Sequence, residues 1–253
     1  MKNIKRYSVL AIALISIVAC KKTNNETTPN PVDKKIAYYN DSVSFTINEK
    51  QYVLNNRYSS GIGNQPLNIK SSPTVIEGGK LAYQTGGYYW YGAKDSTLYS
   101  VSRGFQSSKG GDDFEILFTK KFNDSQLQGG PVMLTPKDYY NLFKLGKQSF
   151  AVDLEKENTM DGISIKFRGN DMKDGLTSNI PGFSILIRSG LKKDIQDNSN
   201  FEITRVEKLG DNRYLVEAKF EINLFNNDAK LYRLKEGFLR ITTRMTAPFG
   251  ITG

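Results

Sequence analysis

FEITRVEKLGDNRYLVEAKFEINLF, residues Phe201–Phe225, carries the strongest local pattern in the chain. Apolar and polar residues alternate from Phe201 to Val206, Gly210-Asp211-Asn212 supplies turn chemistry, and Tyr214–Leu224 alternates again. A period of two means a strand with one face buried, and two such runs around a Gly-Asp-Asn turn predict a β-hairpin. Leu231–Leu234 and Phe238–Thr243 extend the pattern, with a turn expected at Glu236-Gly237.

The same signal recurs towards the N-terminus. Val43–Ile47 alternates, Asn48-Glu49-Lys50 turns, and Gln51–Leu54 answers it as a second hairpin. Between the two hairpins lie Leu81–Tyr83, Tyr88–Tyr91, Leu98–Ser102, Phe114–Phe118, Ser149–Asp153, Gly162–Phe167 and Phe183–Ile187, each bounded by Gly, Asn, Asp or Ser. Many short strands with turns between them predict a mainly β fold, an antiparallel β-sandwich or open barrel. One short helix is expected. Thr135 suits its N-cap, Pro136 its first position and Asp138 the positive end of its dipole. Tyr139, Leu142 and Phe143 then share one face, Gly146 closes the end, and the helix should plug one end or edge of the sheet.

The first twenty residues, MKNIKRYSVLAIALISIVAC, have a different character. Lys2, Lys5 and Arg6 precede an uncharged apolar run from Ser8 to Ala19, too short for the roughly 20 residues of a membrane-spanning helix and right for a secretory signal. Ile17-Val18-Ala19-Cys20 resembles the lipobox of bacterial lipoproteins. The resemblance implies a diacylglyceryl group on the Cys20 thiol, cleavage after Ala19 and acylation of the new amine. Each buried methylene contributes about 0.8 kcal/mol, so one chain holds marginally and two or more hold durably. An ordinary signal peptide with an incidental cysteine is the alternative. The expected organisation is a signal at 1–19, a lipidated cysteine and flexible tether at 20–40, and a single β-rich domain at 41–253. The tether, rich in Lys, Asn, Thr and Pro, has too little apolar area to fold.

Cys-Lys-Lys with its Asn/Thr-rich spacer is similar to lipoproteins of the Bacteroidota. FTINEKQYVL (Phe45–Leu54), TPKDYYNLFKLGKQSF (Thr135–Phe150), the closing hairpin and EGFLRIT (Glu236–Thr242) also resemble segments of uncharacterised cell-envelope lipoproteins from that group. The resemblance implies a β-rich protein anchored in the envelope, on the outer membrane with the leaflet open. It carries no catalytic motif.

Composition removes several chemistries. The 253 residues include no histidine and one cysteine. This excludes histidine triads, imidazole zinc sites and histidine-held haem, and with Cys20 lipidated also a thiol nucleophile or an intrachain disulfide. Loss of residues 1–19 takes three basic side chains and no acid, lowering the net charge from +9 to +6. Lys and Arg are spread among acids, without the dense basic block of a nucleic-acid binder. No cofactor or metal is expected: Asp112-Asp113, Asp171–Asp174 and Asp194–Asp197 lack EF-hand spacing.

Two candidate sites remain. Tyr83–Lys94 holds five aromatic residues in twelve, including the only tryptophan, Trp90. Strand alternation sends Tyr88 and Trp90 to one side and Tyr89 and Tyr91 to the other, so one pair could meet a sugar ring while the other enters the core. A purely core and cross-strand cluster is the competing reading. For carboxylate chemistry, Asp113 and Glu115 share a strand face and Glu202 lies on the closing hairpin, all three expected to face solvent. A glycosidase would need two carboxylates roughly 5–5.5 or 6.5–9.5 Å apart. The expected function is a non-catalytic binding or assembly role on the membrane. Partners would be glycans or other envelope proteins, not nucleic acid. A surface glycan-binding module is the first alternative and a carboxylate-based glycoside hydrolase the second.

Overall fold

The structure, a computed structural model, describes residues 39–66, 73–77, 80–85, 88–92, 96–129, 134–152, 161–180, 189–210 and 213–244. All belong to the compact unit Ile36–Gly253. The expected signal, Cys20 and the strand expected at Phe183–Ile187 lie outside the described residues.

The domain is mainly β and antiparallel, as its alternation predicts. Its strands are β1 (Ser42–Ile47), β2 (Lys50–Leu54), β3 (Asn56–Pro66), β4 (Pro73–Glu77), β5 (Lys80–Thr85), β6 (Tyr88–Gly92), β7 (Ser96–Gln106) and β8 (Asp113–Asn123). There follow β9 (Leu127–Gly129), β10 (Leu134–Pro136), β11 (Gly146–Lys147), β12 (Gly162–Arg168), β13 (Leu176–Thr177), β14 (Asn200–Gly210), β15 (Arg213–Phe225) and β16 (Leu231–Arg244). The main sheet runs β2-β1-β16-β15-β13-β12-β8-β7-β3, with β14 branching from β15 and β11 from β14. Its two ends, β2 and β3, are separated only by Asn55. One nearly continuous piece of chain therefore pairs with β1 at one end and β7 at the other, and the sheet curls into an open, nearly closed barrel.

Both predicted hairpins form. Ile47 pairs with Lys50 across a two-residue loop in which Asn48 and Glu49 take φ of 49° and 66°, the left-handed pair that matches strand twist. Burial along β1 alternates strictly, and Val43, Phe45 and Ile47 point inward. The interior is filled with rings. Phe45 packs edge-on to Phe167 at 4.9 Å, Phe201 stacks on Phe220 at 5.4 Å, and Phe118 meets Phe143 at 5.0 Å. Such pairs add about 0.5–1.5 kcal/mol each to area burial.

Three local expectations are corrected. Glu236-Gly237 does not turn the chain; it is a bulge within the single strand β16, and the register against β15 slips between Phe220 and Ile222. Glu236 takes φ of 53°, and a Cβ on Gly237 would sit 2.4 Å from the Phe220 ring. The expected helix shrinks to one 3-10 turn, Tyr139–Asn141, capped by the Asp138 carboxylate rather than by Thr135. Thr135 and Pro136 belong instead to β10, paired with β9, and the Thr135 hydroxyl donates to the Gln128 carbonyl. The apolar spacing still succeeds: Tyr139, Leu142 and Phe143 are buried, and Gly146 takes φ of 99°. From the expected strand Ser149–Asp153 the described residues keep only a parallel bridge between Phe150 and Ile163, with Asp153 outside them.

Candidate binding groove

The outer wall of the barrel is built from cross-strand rows. Gly104 of β7 lies opposite Glu115 of β8, Glu115 opposite Lys166 of β12, and Lys166 opposite Thr177 of β13. The next row sets Gln106, Asp113 and Arg168 side by side. Because successive residues alternate faces, Asp113 and Glu115 share the outer side while Phe114 and Ile116 enter the core.

β3 supplies the aromatic. Its pairing with β7 slips between Arg57 and Ser59, and this bulge leaves Tyr58 as the extra residue. The Tyr58 ring lies over Gly104, where a Cβ would come within 2.9 Å of Cζ. Only a residue without a side chain lets the ring rest against the wall. Tyr58 remains 48% exposed. Tyr58, the two acids, the two bases and Thr177 bound most of a groove of about 320 Å³.

The polar groups here are incompletely used. Asp113 Oδ2 accepts from Arg168 Nη2 at 2.7 Å, while Oδ1 is shielded from solvent and accepts nothing. A buried acceptor left unbonded costs about 1–3 kcal/mol, and native interiors contain few of them. Glu115 and Lys166 stand in register without a hydrogen bond or ion pair between them. A second depression, about 520 Å³, lies beside the β16 bulge. Its central Arg233 is spent on Ser199, Asn223, the Asn198 carbonyl and Glu221, and Glu236 accepts from Thr46. Those bonds tie β15 and β16 to the buried Gln196–Asn223 pair and make this region a structural joint.

A third polar cluster closes the barrel seam. Asp41, just ahead of β1, accepts from the Thr242 amide and hydroxyl of β16, each at 2.7 Å, and from Arg57 of β3 at 2.8 Å. Beside it Arg103 points inward, donating to Thr243 Oγ1 and the Ser102 carbonyl, with Nε unbonded. Burial, then repulsion from Arg57, pulls its guanidinium below the ordinary arginine range, opposed by Asp41. The buried Tyr99 and Tyr139 hydroxyls are also unbonded, and burial pushes the Tyr99 phenol up. At the opposite side of the opening hairpin Lys50 and the Tyr52 hydroxyl both reach Asp171, at 3.0 and 3.2 Å. The bond from Lys50 holds the Asp171 carboxyl below the usual carboxylate range.

The residues singled out in the sequence are thus only partly brought together. Asp113 and Glu115 share the groove, as neighbours on one strand rather than facing each other across a cleft. A glycosidase needs its carboxylates on two sides of the scissile bond. Glu202, on β14, lies opposite Lys219 and Lys147, away from that row. Tyr88, Tyr89, Trp90 and Tyr91 form β6 of a separate three-stranded sheet, β4-β5-β6, with Trp90 in register with Tyr83 and Tyr88 with Thr85. Their side chains lie outside the described residues. From the acid clusters, Asp112 accepts from the Asn170 amide and Asp171 is held as above. Tyr58 had no distinguishing sequence signal, because its prominence comes from a bulge and from a glycine 46 positions away.

Among the described residues no helix is long and apolar enough to cross a membrane. No protein-family model, curated protein or solved structure matches the chain.

Proposed function

We propose that this chain is a lipid-anchored cell-envelope protein whose barrel domain acts by binding, with the groove beside Tyr58 as its contact face. The anchor rests on the sequence of residues 1–20, where a short apolar signal runs directly into the lone cysteine. Binding rests on one observation: the groove combines an exposed ring, Tyr58, with an acid and a base, Glu115 and Lys166, that stand in register without bonding each other. A structural joint satisfies its own donors and acceptors, as the Arg233 cluster does; a recognition surface keeps some for its ligand. The side-by-side placement of Asp113 and Glu115 favours recognition over hydrolysis.

The anchor is tested in a bacterium with a lipoprotein pathway. Wild-type protein should take up labelled fatty acid and sediment with membranes, and a Cys20→Ala variant should do neither. Unchanged labelling and sedimentation of that variant would overturn the anchor.

A further inference from the structure

We infer that the groove receives an uncharged sugar unit, stacked on Tyr58 with its hydroxyls shared between Glu115 and Lys166. This rests on the binding reading above and names its ligand class.

Charge comes first. Two acids and two bases alternate along the adjoining rows, Asp113 with Arg168 and Glu115 with Lys166, so the groove carries no net charge. An anion drawn to Lys166 meets Glu115 one strand away, and a cation drawn to Glu115 meets Lys166. Close like-charge contacts cost as much as the opposite contacts gain. A neutral ligand escapes that opposition.

Hydrogen bonding narrows the class. Each hydroxyl both donates and accepts. The groove offers an acceptor on Glu115 and a donor on Lys166 that do not bond each other, adjacent in register, so neighbouring hydroxyls of one ring can use both kinds. A hydrocarbon would bury these groups unbonded. A peptide backbone alternates its donors and acceptors on opposite edges.

Shape supplies the third argument. The Tyr58 ring is propped against the Gly104 backbone and exposed to solvent, giving an apolar platform beside the hydroxyl-binding row. The C–H face of a sugar ring is its natural cover. A volume of about 320 Å³ suits a small ligand and lies at the low end of the usual 300–1,000 Å³.

The test is a neutral and charged glycan array probed with the full chain, followed by titration of the best hit. Binding of a neutral glycan should weaken about tenfold or more in Tyr58→Ala, the scale of a lost ring contact, and persist in Tyr58→Phe. Glu115→Gln should weaken it with unchanged circular dichroism and melting temperature, which separates recognition from folding. Affinity should change little with sodium chloride, because no net charge is neutralised. Binding confined to sulfated or uronate glycans, or indifferent to Tyr58→Ala, would overturn the sugar assignment. A photo-crosslinker at Asn227, on the groove edge, separates the two levels in cells. Attachment to a protein would overturn the sugar class and leave a binding face, whereas a blank array with no adduct would remove both.

Discussion

Replacing Asp41 with alanine should lower folding stability by about 3–5 kcal/mol, the range for leaving a buried charge without compensation. Asp41 is 8% exposed and accepts three hydrogen bonds, one from β3 and two from β16. The two from Thr242 end on a charged acceptor and contribute about 1.5–3 kcal/mol each at most. The bond from Arg57, half exposed, adds little, because solvent screens it. The remaining cost comes from Arg103. Its guanidinium is buried among neutral partners, repelled by Arg57 and compensated mainly by Asp41. At about 2–4 °C per kcal/mol for a domain of this size, the melting temperature should fall by roughly 6–20 °C. Urea unfolding of wild type, Asp41→Ala, Arg103→Met and the double variant measures the coupling. Asp41→Ala should cost less in the Arg103→Met background, by about 0.5–3 kcal/mol, because no buried cation then lacks its counter-charge. A loss under about 1 kcal/mol, or an equal loss in both backgrounds, would refute charge compensation as the reason for Asp41.

Tyr99→Phe removes an unbonded buried hydroxyl and should leave stability at neutral pH unchanged or slightly raised. In alkali its advantage over the wild type should grow. Burial raises the Tyr99 phenol in the folded protein, whereas the unfolded chain ionises near about 10, so wild-type stability should fall above that pH by up to about 1.4 kcal/mol per unit. The variant should show a shallower loss in alkaline urea titrations, with a residue due to Tyr52, also raised by burial; an identical slope would exclude Tyr99 as the source. Gly237→Ala drives a methyl to 2.4 Å from the Phe220 ring and 2.6 Å from the Phe220 carbonyl oxygen. It should destabilise by at least about 1–3 kcal/mol, and a neutral melting curve would show that the bulge relaxes freely.

What was legible in the sequence is what one-sided burial imposes. β1, β2, β14 and β15 announce themselves because their inward residues must be apolar and their outward ones need not be. β3 is silent for the converse reason. Residues 59 and 61–64 are half-buried, its Gly61 and Gly63 lie 2.8 Å from Ser102 and Ser100 at the Cβ position, and no period survives. Glu236-Gly237 reads equally as a turn or a bulge, since both want a left-handed residue; the register of Phe220 against Gly237 decides, and that is a tertiary fact. Thr135-Pro136 is a sound helix start overruled by the β9–β10 ladder. The shared face of Asp113 and Glu115 follows from spacing alone. The cations set against them do not, because the β8–β12 register joins residues about 50 positions apart.

The bulge in β3 links the seam to the groove. One extra residue lets consecutive side chains take different partners: Arg57 reaches Asp41 at the seam, while Tyr58 lies on Gly104 at the outer wall. With regular pairing one of the two would lose its position, because alternation fixes where neighbours point. Asp41 stands two residues after Tyr39, whose ring lies between Arg205 and Arg240 at 5.8 and 5.7 Å. The point where the chain joins the barrel is therefore fixed to β14 and β16 by stacking and to β3 by an ion pair. The Tyr58 platform depends on that same short stretch. The proposed contact face is thus held in shape by the residues that lead into β1, and a substitution at Asp41 should disturb Tyr58 although Asp41 does not line the groove.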